Sequence, residues 1–176
     1  MLGLEYYKIE IFFIHIISIK MIIGITGKIG SGKSTLANEL LKHDNYTEYS
    51  FASPLKKIGE LFGFSLPSLY GTQEEKLCID ENWGVSSREF LQKVGTELFR
   101  VELKKAIPDL KLTYSIWPQI FYNNYKKAPK PYIISDVRFL DEVKCIKDLG
   151  GIIIKVERDN LVLSQDKKET QHPSEM

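Results

Sequence analysis

A glycine-rich segment between residues 22 and 35 constrains this chain more than any other feature. The sequence there is IIGITGKIGSGKST, an apolar stretch that runs into glycines and then into residues that favour a helix. Gly27 to Ser34 fit the pattern G-x-x-x-x-G-K-[ST]. The glycines allow the backbone to turn with its N–H groups inward, and the helix that follows presents its positive end to the same point. The segment therefore predicts a strand, a loop and a helix that bind a di- or triphosphate.

Two side chains of this loop suit the chemistry of a bound triphosphate. Lys33 is expected to reach the β- and γ-phosphates, and the hydroxyl of Ser34 is expected to complete the coordination of a Mg²⁺ ion. The motif indicates a nucleotide site, but the same scaffold serves many reactions. The rest of the chain must therefore decide the function.

Length and charge limit the classes of protein to consider. With 176 residues, 43% hydrophobic and 27% charged, the chain is long enough for one α/β domain and too short for two. The formal net charge of +1 gives no electrostatic reason to expect a nucleic acid or a membrane surface as a partner. Cys78 and Cys145 lie far apart and outside any metal-binding pattern. We interpret them as free thiols in a reducing compartment, the cytoplasm.

Residues 1–20 contain an apolar run from Ile9 to Ile19, which Glu10 and His15 interrupt. The run is too short to span a bilayer, and it lacks the basic start and the small-residue cleavage site of a secretory signal. We predict that residues 1–20 are an extension, with an added edge strand or an amphipathic anchor as alternatives. The functional domain is predicted to cover residues 21–176.

Strand and helix patterns alternate along that domain. Apolar residues at helical spacing follow the loop, and Ser53-Pro54 predicts a second helix with Ser53 as its N-cap. Further strands are predicted at 46–51, 131–135 and 152–156, the last as an apolar strand buried on both faces. A helix near Phe139 is stopped by Gly150-Gly151. These patterns predict a parallel sheet covered by helices on both faces.

The middle of the chain is less regular. Residues 63–84 lack a sustained period and are interpreted as an excursion near the nucleotide site. Gly95-Thr96 interrupts the next helix, where a glycine costs about 1 kcal/mol relative to alanine unless something approaches the backbone closely. That helix is predicted to begin at Ser86 or Ser87 and to bury Phe90, Leu91, Val94 and Leu98.

Residues 104–130 interleave lysines with aromatic residues. This pattern is typical either of a surface that binds single-stranded nucleic acid or of a helix with an aromatic core face. The helical spacing of the aromatic residues favours the core face.

Charged residues follow the last two predicted strands, where ligands bind in open α/β sheets. Asp136 and Arg138 follow strand 131–135, and Arg158 follows strand 152–156. Both arginines are candidates to stabilise charge on a transferred phosphoryl group. Asp136 could hold the metal through water, anchor a substrate, or cap the helix that begins near Phe139.

Five motifs occur in a recognisable order: Gly27 to Thr35, Phe51 to Lys56, Arg88 to Glu97, Tyr132 to Glu142, and His172-Pro173-Ser174-Glu175. In this order they resemble the deoxynucleoside monophosphate kinases of phages and large DNA viruses, and the four later motifs are more specific than the first. The resemblance implies a three-layer P-loop nucleoside-monophosphate-kinase fold with a parallel central sheet. It also implies transfer of the γ-phosphate of ATP to a deoxynucleoside monophosphate.

The resemblance implies a role for each matching residue, with ATP and Mg²⁺ as cofactors and a small nucleotide as substrate. Lys33, Arg138 and Arg158 are implied to be catalytic, and Ser34 to bind the metal. The implied ATP-binding residues are Gly27, Lys28, Gly30, Ser31, Gly32, Lys33, Ser34 and Thr35. The implied acceptor-binding residues are Leu55, Lys56, Arg88, Gly95, Thr96, Trp117, Asp136, Arg138 and Glu142, of which Trp117 lies further from Gly95 than in the family.

The chain departs from the family in two places. Some members carry a basic residue where this chain has Ile29 and Gly30, a role that Lys28 is expected to take. The family continues past the His-x-Ser-Glu motif into a final strand and helix, whereas this chain stops at Met176, so both elements are expected to be missing.

Two other functions stay open at this point. The first is another small P-loop kinase, such as a dephospho-coenzyme A kinase, although Ser50-Phe51-Ala52-Ser53 lacks the acidic pair that such enzymes carry there. The second is a nucleotide-binding protein without catalysis. A viral family member would act in the host cytoplasm, and pairing of the chain with itself is open.

Overall fold

The computed structural model describes residues 21–43 and 45–157, and these residues form an α/β structure around a four-stranded parallel sheet. The strands lie in the order β2-β3-β1-β4. Their bounds are β1, Ile22–Thr26; β2, Thr47–Tyr49; β3, Tyr132–Ile134; and β4, Ile152–Lys155. The prediction of a parallel central sheet is confirmed.

Strand β1 lies inside the sheet and delivers the glycine-rich loop at its carboxyl end. Ile23 of β1 is in register with Ile133 of β3, and Gly24 is in register with Ile153 of β4. A Cβ atom at Gly24 would lie 2.6 Å from Ile153 Cδ1 and 2.7 Å from Ile146 Cδ1, so any side chain there would displace both isoleucines. Because all four strands are parallel, the segments that follow β1, β2 and β3 meet at one edge of the sheet.

Nine helical segments of the described residues surround the sheet. They are α1, Lys33–Leu40; α2, Ser53–Leu61; α3, Leu66–Tyr70; α4, Gln73–Leu77; α5, Ser87–Gln92; a π-helix, Lys93–Glu102, called here the π segment; α6, Leu103–Ala106; α7, Ile116–Lys127; and α8, Leu140–Asp148. The predicted excursion at 63–84 thus contains two short helices. Within the described parts of the chain, every helix is too short or too polar to cross a membrane.

Two clusters of buried residues lie against the sheet. One cluster joins Ile22 and Ile134 to residues of α2, α7 and α8, and the other joins Ile23, Ile25 and Ile133 to Ala37 of α1. Since neighbouring residues of one strand face opposite sides, Ile22 and Ile23 show that the sheet is covered on both faces. The predicted three-layer arrangement is therefore present.

The aromatic residues of 104–130 belong to the core. Tyr114, Trp117, Phe121 and Tyr125 are all buried, and Phe121 packs against Tyr49 and Tyr132 from the sheet. The interpretation as an aromatic core face is confirmed, although α6 and α7 replace the single helix expected. These four rings therefore belong to the core and do not form an exposed stacking surface.

The prediction that the last strand is buried on both faces is wrong for the described residues. There β4 pairs with β1 alone and lies at the edge of the sheet, and Ile152 is 41% exposed. A continuous apolar run does not distinguish a central strand from an edge strand, because both can be rich in isoleucine.

Candidate active site

The segment between β1 and α1 forms a glycine-dependent loop, called here the phosphate loop (residues 27–32). Gly30 and Gly32 adopt left-handed backbone angles, with φ of 76° and 101°. Gly27 is required for another reason as well, since a Cβ atom there would lie 2.8 Å from Ser31 Oγ and would overlap the carbonyl oxygen of Val156. The loop conformation thus explains why the glycines occur at this spacing.

The start of α1 suits an anion. The helix begins at Lys33 without a side-chain cap, and its first turn carries no acidic residue. Ser34 and Thr35 are exposed in that turn, and the buried hydroxyl of Ser31 has no hydrogen-bond partner among the described residues. Unpaired N–H groups and a positive helix end are the features that bind phosphates. The residues present therefore fit the phosphates of a nucleoside triphosphate, and Ser34 is the residue that would hold Mg²⁺.

Lys33 lies across the mouth of the phosphate loop. Its Nζ donates to the carbonyl oxygens of Gly27 and Lys28, each at 2.7 Å. Partial burial lowers the pKa of the Lys33 ammonium, and the nearby Arg138 guanidinium lowers it further. The Lys28 side chain is exposed beside it. Lys33 and Arg138 are therefore close enough for their charges to interact.

A cleft of about 260 Å³ lies beside the loop, and Ile29 of the loop forms part of its wall. We call it the acceptor cleft. All nine residues predicted to bind the acceptor line this cleft: Leu55, Lys56, Arg88, Gly95, Thr96, Trp117, Asp136, Arg138 and Glu142. The structure brings these residues together although they are distributed over more than eighty positions of the sequence. Arg158 lies outside the described residues.

Asp136 supports the wall of the cleft instead of capping the helix that follows it. Its Oδ1 accepts the N–H of Phe51 at 2.9 Å, and its Oδ2 accepts the N–H of Ala52 at 3.0 Å and the hydroxyl of Ser50 at 2.6 Å. These bonds fix the turn that leads into α2, so the alternative of Asp136 as a cap for α8 is wrong. The N-cap of α2 is Ala52, and Ser53 is the first helical residue, so the prediction of Ser53 as N-cap is also wrong.

Glu142 supplies the cap at the start of α8. Its Oε2 accepts the N–H groups of Arg138 at 2.8 Å and Phe139 at 3.0 Å, and its Oε1 accepts from Arg100 Nη2. Burial raises the pKa of Glu142 to about 7, against the pull of the two N–H groups and of the Arg100 charge. Glu142 therefore holds the backbone that carries Arg138.

Arg100 is a functional candidate that sequence reasoning missed. Its Nη1 donates to Ser115 Oγ at 2.6 Å and lies 3.3 Å from Asp141 Oδ2, while its guanidinium packs over the Phe139 ring at 3.8 Å. Its side chain is 11% exposed, and it lines the acceptor cleft. With Glu142, Arg100 ties the π segment to the start of α8.

The π segment explains why Arg100 was missed and why one prediction for this helix is wrong. Gly95 and Arg100 both line the cleft and are five residues apart, the spacing that π-helical i→i+5 hydrogen bonds place on one side. Leu98, predicted to be buried by α-helical spacing, is 52% exposed. The α-helical pattern is therefore correct for Val94, which packs against the core, and wrong for Leu98.

Leu55 packs directly against Gly95. A Cβ atom at Gly95 would overlap Leu55 Cδ2 and lie 3.6 Å from Leu55 Cδ1. The carbonyl oxygen of Gly95 accepts the indole N–H of Trp117 at 3.0 Å. The close approach that the sequence suggested at this glycine is thus made by a side chain of the protein itself.

Several cations face the acceptor cleft together. Lys56 lies 4.5 Å from the centre of the Tyr70 ring. Burial lowers the pKa of Lys56 most, and the charge of Lys76 lowers it further. The charge of Asp136 raises this pKa, and the charge of Arg138 lowers it by a smaller amount. Arg88 Nη1 donates to Gln73 Oε1 at 2.6 Å, which fixes one side of the cleft. Sequence reasoning also missed Gln73 and Lys76, which line the cleft but lie in a short helix without a motif. It gave no role to Gln92 and Phe139, which line the cleft and belong to two of the motifs.

A phosphate loop beside a cation-lined cleft, at one edge of a parallel sheet, defines a P-loop kinase. The chain is 40% identical over 161 residues to a protein of Acanthamoeba polyphaga mimivirus named "Putative deoxynucleotide monophosphate kinase", and the match covers 89% of this chain and 81% of that protein. The chain belongs to the deoxynucleotide monophosphate kinase family. No protein-family model matches it.

Proposed function

We propose that this protein transfers the γ-phosphate of ATP to deoxynucleoside monophosphates and releases ADP and the deoxynucleoside diphosphate. The observation that carries the proposal is the position of Arg138. It lines the acceptor cleft, and its charge lowers the pKa of Lys33 at the phosphate loop and of Lys56 in the cleft. A cation shared by donor and acceptor sites is what phosphoryl transfer requires, because charge accumulates on the group that moves between them.

The residues divide the work between the two substrates. The phosphate loop binds the ATP phosphates through its N–H groups and Lys33, while Lys56 and Arg88 bind the acceptor phosphate. An oxygen of that phosphate attacks the γ-phosphorus, and the bond from the γ-phosphorus to the β,γ-bridging oxygen breaks. Arg138 stabilises the charge on the transferred group. Mg²⁺, held by Ser34 and the ATP phosphates, would neutralise charge on the leaving diphosphate.

The free cysteines and the turn at Ser50-Phe51-Ala52 support the compartment and the acceptor in this proposal. Cys78 and Cys145 are free cysteines, which suits a reducing cytoplasm such as that of an infected host cell. The turn at Ser50-Phe51-Ala52 supplies N–H groups and a hydroxyl to Asp136, with no carboxylate of its own. This supports a deoxynucleotide acceptor over a coenzyme precursor. A homodimer and the roles of residues 1–20 and Arg158 stay predictions.

An acceptor screen tests the proposal. The full chain is incubated with ATP, Mg²⁺ and each of the four deoxynucleoside monophosphates, with AMP and dephospho-coenzyme A as competing acceptors, and ADP formation is followed. We expect turnover with at least one deoxynucleotide, and a decrease in kcat of about 10² to 10³ in Lys33→Ala and Arg138→Ala. Lys57→Ala, which removes an exposed lysine of α2, is the matched control and should retain the wild-type rate.

Three results would contradict the proposal. Turnover with dephospho-coenzyme A alone would assign a different acceptor. ATP binding without turnover of any acceptor would leave a nucleotide-binding protein. Full activity in Arg138→Ala would contradict the role of Arg138 in stabilising the transferred group.

A further inference from the structure

Helix α4, Gln73–Leu77, forms part of the acceptor cleft although no motif marks it. Lys76 and Gln73 line the cleft. The other α4 residues are exposed, and Lys76 alone is half-buried. A capping box holds the start of the helix, with Thr72 Oγ1 accepting from Glu75 N at 3.2 Å and Glu75 Oε2 accepting from Thr72 N at 2.6 Å. Lys76 is thus the one partly buried side chain of α4, and it lines the cleft.

Contacts with α5 fix α4 in this position. The buried Ser87 hydroxyl lies 3.4 Å from the carbonyl oxygen of Lys76 and donates to the carbonyl oxygen of Ser68. Gln73 accepts from Arg88, so the second cleft residue of α4 is bound to the same helix. Since Lys76 is bound through its main chain and Gln73 through its side chain, α4 is held at both ends of its single turn.

Lys76 and Lys56 bring two positive charges to the same cleft, where Asp136 supplies a partly opposing charge to Lys56. Both side chains line the cleft, and Lys76 is the strongest charge acting on Lys56. Among the described residues, no carboxylate lies within ion-pair distance of either ammonium group. The two ammonium groups repel each other, whereas an anion between them would be attracted to both.

We propose that Lys76 is a second ligand of the acceptor phosphate, which it shares with Lys56. This inference rests on the proposed function, because it assumes that the cleft binds a deoxynucleoside monophosphate. Lysine suits the task because its ammonium is a compact charge on a long stem and can follow a phosphate during transfer. Helix α4 is then a binding element of the acceptor site, and residues 63–84 contribute directly to acceptor affinity.

The test compares two lysine substitutions that change charge equally. Lys76→Gln removes the proposed ligand, and Lys57→Gln removes an exposed lysine one position from Lys56. With the deoxynucleotide that the wild type phosphorylates fastest, we expect Lys76→Gln to raise the acceptor KM about tenfold, the loss of one charge-assisted contact. The ATP KM and the thermal midpoint should match those of Lys57→Gln.

Direct binding separates a phosphate ligand from a general change in the cleft. The probes are that deoxynucleotide and the same deoxynucleoside without phosphate, measured by calorimetry. Lys76→Gln should weaken the deoxynucleotide alone. If the two lysines share one phosphate, Lys56→Gln and Lys76→Gln should also be non-additive when combined.

The outcomes distinguish this inference from the proposed function. If the wild type neither binds nor phosphorylates any deoxynucleotide, the proposed function fails. If the wild type is active and Lys76→Gln behaves like Lys57→Gln, only the inference about Lys76 is overturned. Equal weakening of nucleotide and nucleoside would also overturn it, because Lys76 would then act on the shape of the cleft.

Discussion

Asp136 and Glu142 line the acceptor cleft, yet their oxygens are occupied by the protein. Each carboxylate accepts two backbone N–H groups from neighbouring turns. Among the cations of the same cleft, Lys56 rests on a tyrosine ring. Ligand binding is thus expected from the cations, whereas the acidic residues hold the backbone that positions them. This separates groups that touch the acceptor from groups that act through another residue.

Asp136→Asn tests this role of the carboxylate. An asparagine has the same shape, but its NH2 group would face an N–H of Phe51 or Ala52, leaving a donor without an acceptor. We expect a loss of about 1 to 3 kcal/mol in the free energy of unfolding, measured by urea denaturation. Asp109→Asn, at an exposed position, should change it little. Equal stability of the two variants would show that Asp136 does not support the turn.

Arg100 offers a second test, because it is nearly buried between two carboxylates. Arg100→Met keeps the apolar stem and removes the charge, which leaves Glu142 buried beside N–H groups alone. We expect the variant to lose about 3 kcal/mol of stability. Arg100→Lys should recover only part of it, since lysine lacks the planar fork that contacts Ser115 and Glu142 together.

The control for this experiment removes an exposed lysine in the adjoining helix. Lys105→Met breaks only a surface contact with Glu102, which contributes little. If Arg100→Met were no less stable than Lys105→Met, Glu142 would not depend on Arg100. A lower stability in both variants would point to a general effect of methionine in this region.

At the scale of elements, the contact between α2 and the π segment depends on the missing side chain at Gly95. Gly95→Ala would push its methyl group into Leu55, so we expect a loss of about 1 to 3 kcal/mol despite the better helix propensity of alanine. Leu55→Ala should also destabilise, but the double variant should lose less than the sum because the methyl group fills part of the cavity. Urea denaturation of all three variants gives the coupling.

Leu98→Ala is the matched control for the π segment. Leu98 is exposed, and its truncation should change stability by at most about 0.5 kcal/mol. Additive losses in Gly95→Ala and Leu55→Ala would mean that the two residues do not interact. A higher stability of Gly95→Ala would mean that this glycine only lowers the stability of the helix and that no close contact requires it.

The sequence predicted the elements whose local pattern carries their geometry. The glycines at 27, 30 and 32 predict the conformation of the phosphate loop, and the alternation of strands and helices predicts the parallel sheet. The motif residues of the acceptor site were predicted through a resemblance, and the structure gathers them in one cleft.

Three kinds of information were missing from the sequence pattern. The i→i+5 winding of the π segment changes which side chains face inward, so Leu98 was predicted in place of Arg100. The partners of Asp136 come from a turn more than eighty residues away, so no local pattern could distinguish it from a helix cap. Helices α3 and α4 have five residues each, too few for a periodic signal.

At the scale of the molecule, both candidate sites depend on the same sheet. The phosphate loop follows β1, and the turn of Phe51 and the segment of Arg138 follow the adjoining strands β2 and β3. Asp136 binds the turn of Phe51, Glu142 binds the segment of Arg138 to α8, and the N–H of Val137 donates to the carbonyl oxygen of Ile25 in β1 at 3.3 Å. Separate unfolding of the two sites would therefore break the pairing of β1 with β3.

Ligand-induced stabilisation tests this coupling in the whole chain. If one cooperative unit carries both sites, ATP with Mg²⁺ and a deoxynucleotide should each raise the midpoint of a single thermal transition, and each ligand at 100 times its Kd should add about 2.7 kcal/mol. Lys33→Ala should lose the shift caused by ATP and keep the shift caused by the deoxynucleotide, whereas Lys56→Ala should do the reverse. Lys57→Ala should keep both. Two separate transitions, each moved by one ligand, would contradict a single unit over residues 21–157 and would divide the phosphate loop from the acceptor cleft.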